Sequence, residues 1–216
     1  MGCLSLILIM ALMLSLLLAG CWYLYSKSID TLTDDAPIAV QMETPSEEQF
    51  ATANAKVEQL RNAETTKQPV TVEFTAAELN ALIARHEAFR DFKGKARVAI
   101  ADSILTLDLS VPLRDLPLPR VRSRWFNGTL RVGLVYDDDQ FALNVHSLKA
   151  NGRDVDLGFL QPIADEMNSG FNEGFDKAQR ENASANEFWE NVRVMKLEGD
   201  KLIITTKGGD PATAAP

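Results

Sequence analysis

The order of apolar and polar positions divides the chain into unlike parts. From Leu4 to Tyr25 no charged side chain interrupts an apolar run. That run suffices for the roughly 20 helical residues that cross a bilayer core. Lys27 ends it, and a polar stretch with Pro37 and Pro45 follows, with no sustained period. Residues 1–26 therefore read as an anchor and 27–45 as a linker.

Beyond the linker the period changes to that of helices. Ser46 with Gln49 three residues on is a capping-box signature, and Phe50, Ala53, Val57 and Leu60 follow at helical spacing. The helix is predicted to reach about Ala63. Val70–Phe74 reads as a short strand. Thr75 with Glu78 then opens a second helix, with Leu79, Leu82 and Ile83 as its buried stripe.

The middle of the chain alternates with period two. Ala96, Val98 and Ile100 share one face, as do Leu105, Leu107, Leu109 and Val111 after a turn at Asp102-Ser103. Asn127-Gly128 is a tight-turn signal, followed by Leu130, Val132, Leu134 and Tyr136 on one face. Asp137-Asp138-Asp139 turns the chain into Phe141, Leu143 and Val145, and Asn151-Gly152 turns it again toward Val155 and Leu157. Such alternation predicts antiparallel strands with one buried and one wetter face. Leu160 to Ala178 then keeps a 3.6-residue apolar stripe through Met167, Phe171 and Phe175. A last hairpin, Val192–Leu197 and Lys201–Thr206, turns at Gly199-Asp200. The expected fold class is α+β: a membrane helix or signal, then an antiparallel β-meander covered on one face by amphipathic helices. The folded domain spans 46–207, and the tail 208–216 is expected to be disordered.

Composition narrows the partners. A net charge of −8 over 216 residues disfavours nucleic acid, whose affinity rests on neutralised phosphates, and broad adhesion to anionic lipid. Both cysteines, Cys3 and Cys21, lie in the anchor, so the remainder has no disulfide framework and no thiol chemistry.

The anchor has two readings. As a transmembrane helix it places Trp22, Tyr23 and Tyr25 in an interfacial belt, with Lys27 beyond in water. Alternatively, Leu18-Ala19-Gly20-Cys21 resembles a lipobox, which implies lipidation of Cys21, although Met1–Ser5 lacks the basic residues of a signal peptide. Met1-Gly2-Cys3 lacks the Ser or Thr of a myristoylation signal at Leu6. Either anchor reading exports the acidic domain to the extracytoplasmic side of a bacterial cell membrane.

Chemistry-bearing motifs are sparse. His86 and His146 have no metal-ligand spacing, and no cofactor is expected. Asp137-Asp138-Asp139 lacks the ligand pattern of a calcium loop. Asn127-Gly128-Thr129 and Asn182-Ala183-Ser184 match the glycosylation acceptor pattern. The candidate binding patch is basic: Arg120, Arg122 and Arg124 share one face if extended, beside Trp125. Arginine next to an aromatic suits a lipid phosphate or an acidic partner. The competing reading is a crossover whose arginines pair with nearby acids.

The stretch Val70-Thr71-Val72-Glu73-Phe74-Thr75-Ala76-Ala77-Glu78-Leu79-Asn80-Ala81-Leu82-Ile83 carries a resemblance. With the hairpins and long helix that follow, from Pro69 to about Ala178, it is similar to the YpmS-like extracytoplasmic proteins of unknown function. It resembles tubular lipid-binding domains more loosely. The resemblance implies no catalytic residue; Asn80, the polar member of the helix stripe, is expected to bond to nearby backbone. The functional expectation is a non-enzymatic, membrane-anchored envelope domain that binds a partner protein or assists envelope assembly. The alternatives are a binder of lipid or hydrophobic ligand between sheet and helix, and a hydrolase using paired carboxylates.

Overall fold

The computed structural model describes residues 29–114, 121–137, 140–156, 172–173 and 190–208. The anchor with Cys21, Arg120, most of the Leu160–Ala178 helix and the tail lie outside them. What remains is an antiparallel sheet with helices on one face, an α+β arrangement.

Helix α1 (Glu47–Thr66) starts where its box predicts. Gln49 N–H donates to Ser46 Oγ at 3.1 Å, and Ser46 N–H to Gln49 Oε1 at 2.8 Å. It runs three residues beyond Ala63, and Lys67 closes it in the left-handed region at φ 52°. Strand β1 (Thr71–Thr75) leads directly into α2 (Ala76–Arg85), again through a full capping box, Thr75 with Glu78. A 3₁₀ segment, Glu87–Phe92, follows.

Seven further strands complete the sheet: β2 (Ala96–Ala101), β3 (Ile104–Pro112), β4 (Trp125–Asp137), β5 (Gln140–Ala150), β6 (Arg153–Asp154), β7 (Val192–Glu198) and β8 (Lys201–Thr206). β4 organises them. One of its edges pairs with β5 along nearly its whole length. The other edge is shared by two hairpins placed end to end. β3 pairs with Trp125–Val132, and β7 pairs with Val135–Asp137. The tips of the two hairpins meet: Ser103 N–H donates to Gly199 O at 2.8 Å, and Gly199 N–H donates to Ser103 Oγ at 3.0 Å. β1 lies outside β8 and β2 outside β3.

The turn at Asp102-Ser103 forms with both residues at positive φ, as does Asn151-Gly152. The chain reverses between Asp137 and Gln140, which pair directly. Asn127-Gly128, by contrast, makes no turn. Both residues lie inside β4, opposite Ser110 and Leu109 of β3. Glycine is required there by crowding: a Cβ on Gly128 would lie 2.2 Å from Lys149 O and 2.6 Å from the Phe126 ring.

The main core lies between the helices and the lobe formed by β1, β8, β7 and the far half of β4. Ala53 and Leu60 of α1 and Leu82 of α2 meet Val72, Phe74, Ile204, Met195 and Tyr136, all buried. Tyr136 is 1% exposed and packs its ring 4.8 Å from that of Phe141. Burial of each such large side chain stabilises by about 1.5–3 kcal/mol in transfer terms.

The segment expected to be a linker is instead fastened down. Ile29 and Thr33 are buried, and Asp34 exchanges two backbone hydrogen bonds with Trp125, at 2.7 and 2.8 Å. Asn127 Nδ2 donates to Ala36 O at 2.8 Å. The Ile38 N–H reaches Ser110 Oγ and Asn127 Oδ1 at 3.1 and 3.2 Å. The stretch thus straps the polar face of the sheet. Asn127 is 3% exposed, which removes it as a glycosylation acceptor in the folded chain.

Candidate functional site

The arginine cluster does not form an extended row. Arg124 N–H donates to Val121 O at 2.9 Å, so 121–124 is a turn rather than a strand. Arg124 serves the strap. Its Nε donates to Thr33 Oγ1 at 2.5 Å, Nη2 to Thr33 O at 2.9 Å and Nη1 to Asp35 Oδ1 at 2.9 Å. Asp30 lies 3.6 Å away. For Arg124 these bonds are a pairing with nearby acids. Arg122 is exposed and Trp125 half-buried at the start of β4.

The two histidines stand apart. His86 ends α2 and packs against Phe89 with ring centroids 6.1 Å apart. His146 is exposed on β5, where the register with β4 skips one residue. Among the described residues no three His, Cys, Asp or Glu side chains converge.

The most perturbed buried acid is Glu78. It is 8% exposed and binds Lys56 Nζ at 2.5 Å through Oε1. Its Oε2 accepts from Thr75 N–H at 2.8 Å and Thr75 Oγ1 at 3.0 Å. Burial pushes its pKa up, but the bonds to Lys56 and Thr75 outweigh this and hold it below the ordinary glutamate value. An acid kept ionised by an ammonium and by helix-capping donors is a structural ion pair, with no proton to give near neutrality.

Two hollows differ in kind. The larger, of about 320 Å³, lies beside the strap and is lined by Arg97, Asp108, Ser110, Asn127 and Thr129 among others. Several of its polar groups pair with one another, while the buried Oδ1 of Asn151, also in the lining, has no partner among the described residues. Ser110 Oγ donates to Asn127 Oδ1 at 2.8 Å, and Thr129 Oγ1 to Asp108 Oδ1 at 2.7 Å.

The smaller hollow, of about 180 Å³, is lined only by apolar side chains. Leu79, Leu82 and Ile83 of α2 and Phe89 form its roof. Val98, Leu105, Leu134, Leu197 and Leu202 form its floor, one each from β2, β3, β4, β7 and β8. Its position follows from the topology. Leu105 opposes Val132, and Lys196 opposes Val135, so Gly133 and Leu134 fall at the seam between the two hairpins. The ten-residue α2 is only about 15 Å long, too short to cover both lobes. The recess is partly open, since Phe89 is 38% exposed, and its volume is close to that of an engineered apolar cavity of about 150 Å³ that accepts a benzene-sized molecule. No motif announces this recess, because its nine residues come from seven separate elements. The alternation of the strands marks Val98, Leu105 and Leu134 as members of shared apolar faces, but not the seam.

Side chains occupy main-chain groups of one residue on each of three strands. Asn80 of α2 caps Val98 on β2, and Lys56 Nζ donates to Glu73 O on β1 at 2.7 Å. Asn172 exchanges two bonds with the Phe141 backbone on β5, at 2.9 and 3.0 Å. Compared with family models, with curated proteins and with solved structures, the chain matches none of them.

Proposed function

We propose that the chain is a non-enzymatic, membrane-anchored domain on the extracytoplasmic side of the bacterial envelope, acting by binding a hydrophobic ligand in the recess under α2. The observation that carries this reading is the wholly apolar lining of that hollow. Ligand sites are mostly apolar clefts of about 300–1,000 Å³, so a recess of about 180 Å³ takes only a small apolar group. The volume suits one alkyl chain end or a single ring rather than a diacyl lipid. The looser resemblance to tubular lipid-binding domains supports the same ligand class.

The test is binding of medium-chain fatty acids to residues 29–216, followed by thermal unfolding and native mass spectrometry. One ligand per chain and a raised Tm are expected, with both effects lost in Leu134→Trp, which fills the recess. Absence of binding in the unaltered chain, whose recess is intact, would refute the reading.

A partner protein is the second reading, favoured by Phe89, which lines the recess, and by Phe92 three residues on, 38% and 46% exposed. Such a partner would bury these aromatic side chains.

A further inference from the structure

The strap fixes one end of the sheet close to the anchor. Ile29, Thr33 and Asp34 are held against Arg124, Trp125 and Asn151. Asn151 Nδ2 donates to Thr33 O at 3.1 Å, and Thr33 Oγ1 to Ile29 O at 2.6 Å. Four residue steps separate Tyr25, the last residue of the apolar run, from Ile29, a reach of at most roughly 14 Å. From Cys21, the lipidation candidate, eight steps reach roughly 28 Å. Both are shorter than the 13-residue β4, about 43 Å at 3.3 Å per residue.

The charges at this end have a matching order. Three of its acids pair with cations: Asp35 with Arg124 at 2.9 Å, Asp30 with Arg124 at 3.6 Å, and Asp154 with Lys149 at 3.4 Å, while Asp34 Oδ1 accepts from the Asp35 N–H at 2.7 Å. Arg122 and Arg153 are exposed. The opposite end of β4 carries the run Asp137-Asp138-Asp139, which an anionic surface repels.

We propose that the sheet stands on the bilayer by its Arg122–Trp125 and Asn151–Arg153 end, with Arg122 and Arg153 on phospholipid phosphates and the Asp137–Gln140 end directed away. This rests on the membrane-anchor reading. Leu134 lies nine residues along β4 from Trp125, so the recess is held roughly 30 Å above the surface. It therefore receives a ligand that has left the bilayer, not a chain still embedded in it.

The experiment uses the full chain in phosphatidylcholine vesicles with and without phosphatidylglycerol. A benzophenone residue replaces Arg122, Arg153 or Gln140 in turn, and lipid adducts are read by mass spectrometry. Adducts are expected at 122 and 153, severalfold above those at 140, and rising with phosphatidylglycerol. Equal adducts at 140 from vesicle-bound chain overturn the orientation alone. Adducts at 153 indifferent to phosphatidylglycerol overturn the attraction of this end to net-anionic headgroups. A chain released from native membranes by alkaline carbonate removes the anchor and this orientation together.

Discussion

The side chain of Asn80 occupies the place of a neighbouring strand beside Val98. Its Nδ2 donates to Val98 O and its Oδ1 accepts from Val98 N–H, both at 2.8 Å. Exposed strand edges invite pairing with other chains, and a primary amide presents the same donor and acceptor as a peptide group. Asn80→Ala leaves both groups without partners and is expected to cost about 1–3 kcal/mol. Asn80→Asp keeps the acceptor but sets a carboxylate against the Val98 carbonyl, so it is expected to be no milder. Urea unfolding and amide exchange at Val98 check this. Unchanged exchange in both variants would remove the capping role.

Glu78 makes stability depend on acid pH. Its folded pKa lies below the ordinary value, so the unfolded chain takes up the proton first. The stabilisation is complete above the ordinary glutamate value near 4.3 and is lost as pH falls through the lower folded value. Glu78→Gln preserves the capping geometry but not the charge facing Lys56. The expected loss is about 1–2 kcal/mol at pH 7, shrinking below pH 4. Denaturation midpoints between pH 3 and pH 7 report the difference, and parallel curves for both proteins would exclude the pair as the source.

Gly128 and Gly133 lie in the same strand and separate two effects. A Cβ at Gly128 meets backbone and ring atoms closer than 3 Å, whereas at Gly133 the nearest atom is 3.6 Å away. Gly128→Ala is expected to cost about 1–3 kcal/mol, and Gly133→Ala to fall within about 0.5 kcal/mol of the parent. Calorimetric Tm values test the contrast, which equal shifts would contradict.

Arg124 holds the strap by a fork of donors that a single ammonium cannot reproduce. Arg124→Ala is expected to cost about 1.5–3 kcal/mol, and Arg124→Lys to recover little of it. Limited proteolysis across 29–45 should quicken in both. A cleavage rate equal to that of the parent would mean the strap is held without the guanidinium.

Local chemistry was well written in the chain. The capping pairs Ser46/Gln49 and Thr75/Glu78 mark true helix starts because donor and acceptor sit three residues apart and need no distant partner. Strand faces were legible for the same reason. Asn127-Gly128 misled because its conformation is set at long range: Asn127 answers to Ala36 and Ser110, and Gly128 to Lys149. The strap was misread because a segment without period looks free until its partners are known. Arg124 was ambiguous in sequence between a ligand and a clamp, and only Thr33 and Asp35, 91 and 89 residues away, decide it. The recess was invisible because a seam between hairpins is a property of register.

The β1–β8 pairing joins the two extremities of the domain, as at Thr71 and Thr205, whose side-chain oxygens lie 3.1 Å apart across 134 positions. A chain emerging at about 5–20 residues per second would leave Val72 and Phe74 waiting roughly 6–26 s for Ile204 and Leu202. In that interval the first strand made has an apolar face and no neighbour. The biosynthesis of this domain therefore carries a window in which a chaperone outside the ribosome, or the same strand of another nascent copy, competes for β1.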